Sequence, residues 1–430
     1  MTGAGTSDRE SVDLLIRGVG ELATARGTRP LGGADLARLE TRSSVAIAVT
    51  GERIVDVGDE RELRRRFAAR EEWDAGGAVV IPGFVDAHTH PVFLGTREDE
   101  FEQRTRGASY VEIAAAGGGI LHSMRGVRGA SREQLLARLL VHLDRFLAAG
   151  TTTIEAKTGY GLTLADELKC LEVIAEANRL HAVDLVPTFL GAHDFPPEYR
   201  GDRAGWVELL CAELLPRVAE SGLAEYADIF TESHVFDLEA SRRVMSCARD
   251  LGFGLRMHVD QLTPLGGAEL AAELGAASAD HLEFVSEEGI AALANAHVVP
   301  VLCPVVPLYL RTEREAPARR MVDAGLAPAL STDFNPGSCY LQSMPEVLTW
   351  AALRYRFTAA ETLVAATLNA ACSLARGNEL GTVEEGKLAD LVVLDVPNHR
   401  HLVYELGRSP VVAVFKRGRL RYERPRDSSR

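Results

Sequence analysis

No stretch of this 430-residue chain approaches the roughly 20 consecutive apolar residues of a membrane span. The polar opening MTGAGTSDRES carries no apolar core of the signal type. Both absences predict a cytoplasmic protein without membrane partners. Paired cysteines are missing as well. Cys170, Cys211, Cys247, Cys303, Cys339 and Cys372 are widely scattered with no Cys-x-x-Cys, which reads as reduced thiols and excludes a disulfide framework. Basic residues are in deficit: 47 Lys plus Arg stand against 61 Asp plus Glu, a formal charge of −14. Such a surface repels phosphate backbones and argues against a nucleic-acid partner. It does not exclude a small anion, because one arginine in a pocket can hold a carboxylate. No Gly-x-Gly-x-x-Gly follows an early strand, and there is no repeat of fixed period and no low-complexity tract.

What is present is an ordinary globular composition, 46% hydrophobic and 25% charged. Residues 1–10, small and polar, read as disordered. Strand-like runs follow at 13–17, 45–49 and 53–58, and 78–81 leads into a histidine motif. From about residue 83, short apolar runs alternate with helical stretches at 132–149, 164–179, 238–250, 266–274 and 314–324. Eight candidate strands end at His88 and His90, Glu155, Leu190, Phe230, His258, His281, Leu302 and Asp333. Eight strands with helical crossovers predict an α/β fold, a (β/α)₈ TIM-like barrel. After helical segments near 344–356 and 359–372, residues 381–395, 411–415 and 419–422 return to strand character. Both chain ends are expected to build one small β-sandwich, with parts at 1–82 and 381–430 flanking a barrel over 83–380.

The chemistry centres on Asp86-Ala87-His88-Thr89-His90. Side chains two apart on a strand share a face, so the two imidazoles can chelate one ion. Barrel enzymes carry their reactive groups at the C-terminal ends of the strands. His258, His281 and Asp333 fall at such ends. Alone, each histidine reads as a hydrogen-bonded core residue and Asp333 as a helix cap. Together, three imidazoles and a carboxylate make a suitable shell for one Zn²⁺ with an open position, and imidazole plus carboxylate also suits Fe or Mn.

This pattern resembles the amidohydrolase superfamily in its one-metal form. The return Gly381-Thr382-Val383-Glu384-Glu385-Gly386-Lys387-Leu388-Ala389-Asp390-Leu391 resembles that superfamily's re-entry into its sandwich. Within it, residues 80 to 375 resemble the imidazolonepropionase family through Pro91–Arg97, Glu155–Leu162, Pro187–His193, Leu265–Leu270 with Ser278–Leu282, and Thr332–Ser338. The resemblance implies a hydrolase of histidine degradation that opens the cyclic amide of 4-imidazolone-5-propanoate to N-formimidoyl-L-glutamate. It implies one Zn²⁺ (or Fe³⁺) per chain on His88, His90, His258 and Asp333, and a homodimer. His281 and Asp333 would move protons, with His281 beside the ion rather than on it. Arg97 would clamp the propanoate, and Tyr160, His193, Gln261, Asn335, Gly337 and Ser338 would contact the substrate. Gly117-Gly118-Gly119 resembles the family's loop over the site.

The chain departs from the commoner pattern at several positions. Gln261 stands where many members carry Glu, which shifts proton work to His281 and Asp333. Thr158, Thr231-Glu232 and the loop Cys303–Arg311 also differ. Lys157 follows the second strand, not the fourth, which argues against a carbamylated lysine bridging two metals. A related amidohydrolase that acts on another imidazolone, or that deaminates a nitrogen heterocycle, is the alternative expectation. A barrel used as an inert scaffold is a further one, though all four metal ligands are present.

Overall fold

A computed structural model describes residues 9–109, 112–113 and 116–425. Eight parallel strands follow one another in chain order: Phe84–Asp86, Thr151–Lys157, Asp184–Ala192, Tyr226–Thr231, Gly254–Val259, Ser278–His281, Val299–Leu302 and Ala329–Leu330. The eighth strand returns to the first. Thr89 bridges Phe334, and the His90 N–H donates to the Phe334 carbonyl at 2.9 Å. Side chains complete the closure. The buried Asp86 carboxylate accepts from the Thr332 N–H at 3.1 Å, from the Thr332 hydroxyl at 2.6 Å and from the Ser331 hydroxyl. The barrel is therefore a near-closed (β/α)₈ cylinder.

The covering helices follow the expected periodicity. Arg132–Ala148 starts at a Ser131/Gln134 capping box and buries Leu135, Leu139, Leu143 and Phe146, a stripe at helical spacing. Leu164–Leu180, Leu238–Asp250, Gly267–Leu274 and Met344–Tyr355 lie where predicted. The expected 314–324 helix is shorter, Ala318–Asp323, because Pro317 sits immediately before it and fixes the start. The expected 359–372 helix is interrupted by a π-type turn over Ala365–Asn369. Among the described residues no helix is long and apolar enough to cross a membrane.

Two further sheets lie beside the barrel. One runs Arg53–Asp59, Val45–Thr50, Glu10–Val19, Phe67–Asp74. The other runs Arg419–Glu423, Val411–Lys416, Leu391–Leu394, Val79–Pro82, Glu21–Thr24, Glu40–Arg42, so both chain ends contribute to it. Ile16, Ile47 and Val49 of the first share a core with Val80, Leu391, Val393 and Phe415 of the second, which makes the pair a sandwich. Residues 1–8 of the stretch expected to be disordered lie outside the described residues. Glu10 is already in a strand, paired in parallel with Phe67. Within 381–395 only Leu391–Leu394 is strand.

The run leading into the histidines is two strands that part at Gly83. Val79–Pro82 pairs with Leu391–Leu394 in the sandwich, and Phe84–Asp86 pairs with Thr151–Ile154 in the barrel. Gly83 is the joint: a Cβ there would stand 2.3 Å from the Thr152 hydroxyl. The residue that switches sheets has no room for a side chain.

Candidate active site

His258 is on the fifth strand and His281 ends the sixth, whereas the other candidates sit just beyond their strands. His88 and His90 follow Asp86 on the closing segment, and Asp333 lies three positions past Leu330. The Asp86 clasp explains this: it holds both segments together beyond their regular pairing. Asp333 (φ 50°) and His281 (φ 78°) have left-handed backbone, uncommon for residues with a side chain and often found where function fixes the geometry.

The donor atoms converge. His88 Nε2 lies 3.3 Å from His90 Nε2, and His90 Nε2 lies 3.4 Å from His258 Nε2. Asp333 Oδ1 is 3.5 Å from Nε2 of both His88 and His90. Ligands about 2.0–2.2 Å from one ion in tetrahedral array are separated by about 3.3–3.6 Å. The spacing and the donor types therefore fit a single metal ion. Burial drives the pKa values of His88 and His90 well below the ordinary histidine value, which keeps both imidazoles neutral as ligation requires. Burial also pushes the Asp333 carboxyl well above its usual range. A carboxylate so placed, among neutral imidazoles, is suited to a cation. His281 is adjacent: its ring centroid is 5.0 Å from that of His88 and 5.3 Å from that of His258. Its donor atom also lies within 4.8 Å of theirs.

A buried charged layer that sequence reasoning missed supports this cradle. His88 Nδ1–H donates to Asp280 at 2.6 Å, and Asp228 Oδ2 lies 3.0 Å from His258 Nδ1. Lys157 Nζ donates to Asp228 at 2.6 Å and to Glu155 at 2.8 Å. Arg256 Nε is 2.8 Å from Glu155, and its terminal nitrogens donate to the carbonyls of Ser373 and Ala87. Burial alone would lower the Lys157 pKa, but Asp228 and Glu155 outweigh it and hold the ammonium above the usual lysine range. Lys157 thus spends its amine on two carboxylates of the layer. A period-two signal was available in the sequence. Glu155 and Lys157, Arg256 and His258, and Ser278 and Asp280 each occupy alternate positions of their strands, the spacing of residues that line a barrel's interior.

Above the cradle opens a small cleft lined by His90, Arg97, Tyr160, His193, Gln261, His281, Asp333, Asn335 and Ser338, with Ile120, Phe230, Leu262 and Leu310 as apolar walls. The expected substrate residues are thus brought together, apart from Gly337, which does not line the cleft. At Gly337 the space a side chain would fill is taken by the Arg97 guanidinium, 2.0 Å from where a Cβ would be. Arg97 donates through Nε and Nη2 to Glu100 at 2.9 and 2.7 Å. Glu100 in turn accepts from the N–H of Gly119, which ties the glycine loop to the arginine.

Asn335 spends its amide inside its own loop. It donates to the Asp333 carbonyl and the Ser338 hydroxyl, both at 2.7 Å, and accepts from the N–H groups of Gly337 and Ser338. His193 stacks on His90 with centroids 5.1 Å apart. Burial brings its pKa down to about 3, and Nδ1–H donates to the Gly159 carbonyl, so Nε2 is an acceptor. Gln261 is held from both sides. Asp260 accepts from four N–H groups at the start of the following helix, and Glu232 accepts from Leu262 and Thr263. Glu283, also missed, is a buried carboxyl with Oε1 4.0 Å from His281 Nδ1, and burial raises its pKa well above the usual range.

Comparison with known proteins gives a consistent result. The model of the amidohydrolase family matches residues 79–421. An imidazolonepropionase of Symbiobacterium thermophilum is 48% identical over 413 residues, covering 95% of this chain and 97% of the relative. Those of Solibacter usitatus and Porphyromonas gingivalis are 49% and 42% identical; the alignments cover 86% and 96% of this chain and 89% and 98% of the relatives. Among solved structures, a zinc-bound adenosine deaminase of Xanthomonas campestris superposes with a TM-score of 0.72 at 22% identity over 96% of this chain and 93% of that one. A guanine deaminase of E. coli gives 0.72 at 17% identity over 96% and 100%. At these identities the two structures establish the fold alone.

Proposed function

We propose that this chain, which belongs to the amidohydrolase family and within it to the imidazolonepropionases, hydrolyses the cyclic amide C–N bond of 4-imidazolone-5-propanoate to N-formimidoyl-L-glutamate in histidine degradation. The observation that carries the reading is the convergence of three Nε2 atoms and one carboxylate, at single-ion spacing, beneath a cleft that also holds a buried arginine. His88, His90, His258 and Asp333 would hold one Zn²⁺ (or Fe³⁺) per chain. The chemistry supplied by such an ion is acidification of water toward a pKa of ~7 and polarisation of a carbonyl.

The remaining steps fall to the protein. Arg97, oriented by Glu100, holds the propanoate carboxylate. Tyr160, His193 and Gln261 fix the ring, with the His193 Nε2 lone pair accepting a ring N–H. Ser338 and the loop shaped by Asn335 and Gly337 close the far side. Gln261 cannot act as a base, so it orients. His281 takes one proton from the attacking water, and Asp333 takes the second, from the hydroxyl now on the former carbonyl carbon, and passes it to the ring nitrogen as the C–N bond breaks. The barrel over residues 83–380 is the catalytic unit in this reading, and the protein works in the cytoplasm as a homodimer.

The test is hydrolysis of freshly prepared substrate by the zinc-loaded protein, with Arg97→Ala and Asp333→Ala alongside. Formation of N-formimidoyl-L-glutamate that falls by more than 100-fold in both variants supports the reading. Turnover unaffected by Arg97→Ala removes the carboxylate clamp from it.

A further inference from the structure

The charged layer beneath the cradle is costly to bury. Two cations, Lys157 and Arg256, and three carboxylates, Glu155, Asp228 and Asp280, are each at most 2% exposed. Such clusters add little net stability compared with apolar packing of the same volume, so stability alone is a weak reason for one. The arrangement points to a different role. Asp280 accepts from Nδ1 of His88 at 2.6 Å, and Asp228 lies 3.0 Å from Nδ1 of His258. Lys157 Nζ stands between the two carboxylates, 2.6 Å from Asp228 and 3.5 Å from Asp280. His88 follows the first strand and His258 is on the fifth, strands on opposite sides of the barrel. A single ammonium therefore links them through a continuous path: His88, Asp280, Lys157, Asp228, His258.

We propose that Lys157 is a positioning residue for the metal cradle, holding Asp228 and Asp280 where each fixes the Nδ1 edge of one histidine and thereby aims both Nε2 atoms at a common point. The inference rests on the reading that His88 and His258 hold the ion. Carboxylates placed behind ligating histidines set the ring orientation, and their loss commonly weakens metal binding by about 10–100-fold. Lys157 adds a second effect of opposite sign, since a cation near the cradle repels the ion. The layer's formal balance is two positive against three negative charges, so its net field still favours a cation, and geometry is what Lys157 contributes.

The experiment is metal binding by the full chain, read in two ways: Zn²⁺ affinity by competition with a chromophoric chelator, and the visible absorption of the Co²⁺-loaded protein. The variants are Lys157→Met, Asp280→Asn and Asp228→Asn, with His258→Asn as a control. Lys157→Met is expected to weaken Zn²⁺ affinity by about 10–100-fold and to shift or broaden the Co²⁺ bands, as do the two Asp→Asn variants. A folded Lys157→Met protein with unchanged or tighter Zn²⁺ affinity overturns the proposal. If Lys157→Met does not fold, the two Asp→Asn variants decide: unchanged affinity and unchanged Co²⁺ spectra in both overturn it. If His258→Asn also keeps native affinity, the reading of the cradle itself falls. If only His258→Asn loses affinity, the cradle stands and the role of Lys157 does not.

Discussion

His142 offers a test of how the wall behind the site is built. It lies on the helix Arg132–Ala148, fully buried between Phe93 and Phe334, with ring centroids 4.7 and 5.0 Å away. Nδ1–H donates to the Pro91 carbonyl at 3.0 Å, one residue beyond His90. Burial brings its pKa down from 6.5 to about 4. The folded protein therefore resists protonation here while the unfolded chain accepts it near pH ~6.5. The folded pKa is the lower one, so the stabilisation is fully present above pH ~6.5 and is lost as pH falls toward ~4. The gap of about 2.5 pH units, at ~1.36 kcal/mol each, comes to about 3 kcal/mol.

Asp86 acts in the opposite sense over an overlapping range. Burial raises its pKa from 3.8 to about 6, so its protonated form favours the fold at acid pH and that contribution fades as pH rises toward 6. Wild-type stability alone thus mixes the two, and a difference between proteins separates them. His142→Asn keeps an amide N–H for Pro91 and removes the titration. Urea unfolding of metal-free wild type and variant, followed by circular dichroism at pH 7.5, 6.0, 5.0 and 4.5, gives that difference. The advantage of wild type is expected to shrink by about 2.5 kcal/mol between pH 7.5 and 4.5, the remainder being lost only below pH ~4. A difference that stays constant with pH refutes the buried, neutral His142.

Three further outcomes follow from the same geometry. Gly337→Ala places a methyl where the Arg97 guanidinium lies, so KM should rise at least ~10-fold with a smaller change in kcat, as expected for lost binding in ground and transition states alike. Asp86→Ala removes the acceptor of three buried donors at the barrel's closing seam. Urea unfolding should show a loss of about 3–5 kcal/mol, judged from the cost of stranding buried donors of a charged acceptor. Prolonged chelation of the purified protein should abolish hydrolysis and lower the thermal midpoint, with Zn²⁺ restoring both, because an ion held by the native state alone stabilises it by mass action.

The barrel, the helical stripe of Leu135, Leu139, Leu143 and Phe146, and the gathering of the histidines and Asp333 at one end of the barrel were legible because each obeys a short-range period or a spacing rule. The parts that were not legible have physical reasons. Phe67–Asp74, with the run Arg-Glu-Glu in its middle, has no strand pattern of its own and is held by parallel pairing to Glu10–Val19. That no side chain fits at Gly83, where the chain switches sheets, depends on Thr152, nearly seventy residues away. Asp280 was visible in the sequence beside His281, but its partner His88 is 192 positions distant, and only the closed barrel brings them to 2.6 Å. Lys157 was set aside as a metal bridge from its place in the chain, but its two carboxylate partners, one on its own strand and one on the fourth, were not foreseen. Gly337 was expected to contact the substrate, and the space where its side chain would stand is occupied by Arg97. In each case the missing information was a long-range contact, not a local preference.

The most direct test of the account is a titration of metal-stripped protein with Zn²⁺ while the loss of 4-imidazolone-5-propanoate is followed. The account predicts hydrolysis that rises in proportion to added metal and breaks at one ion per chain. No turnover at any loading, or a break at two ions, would contradict it.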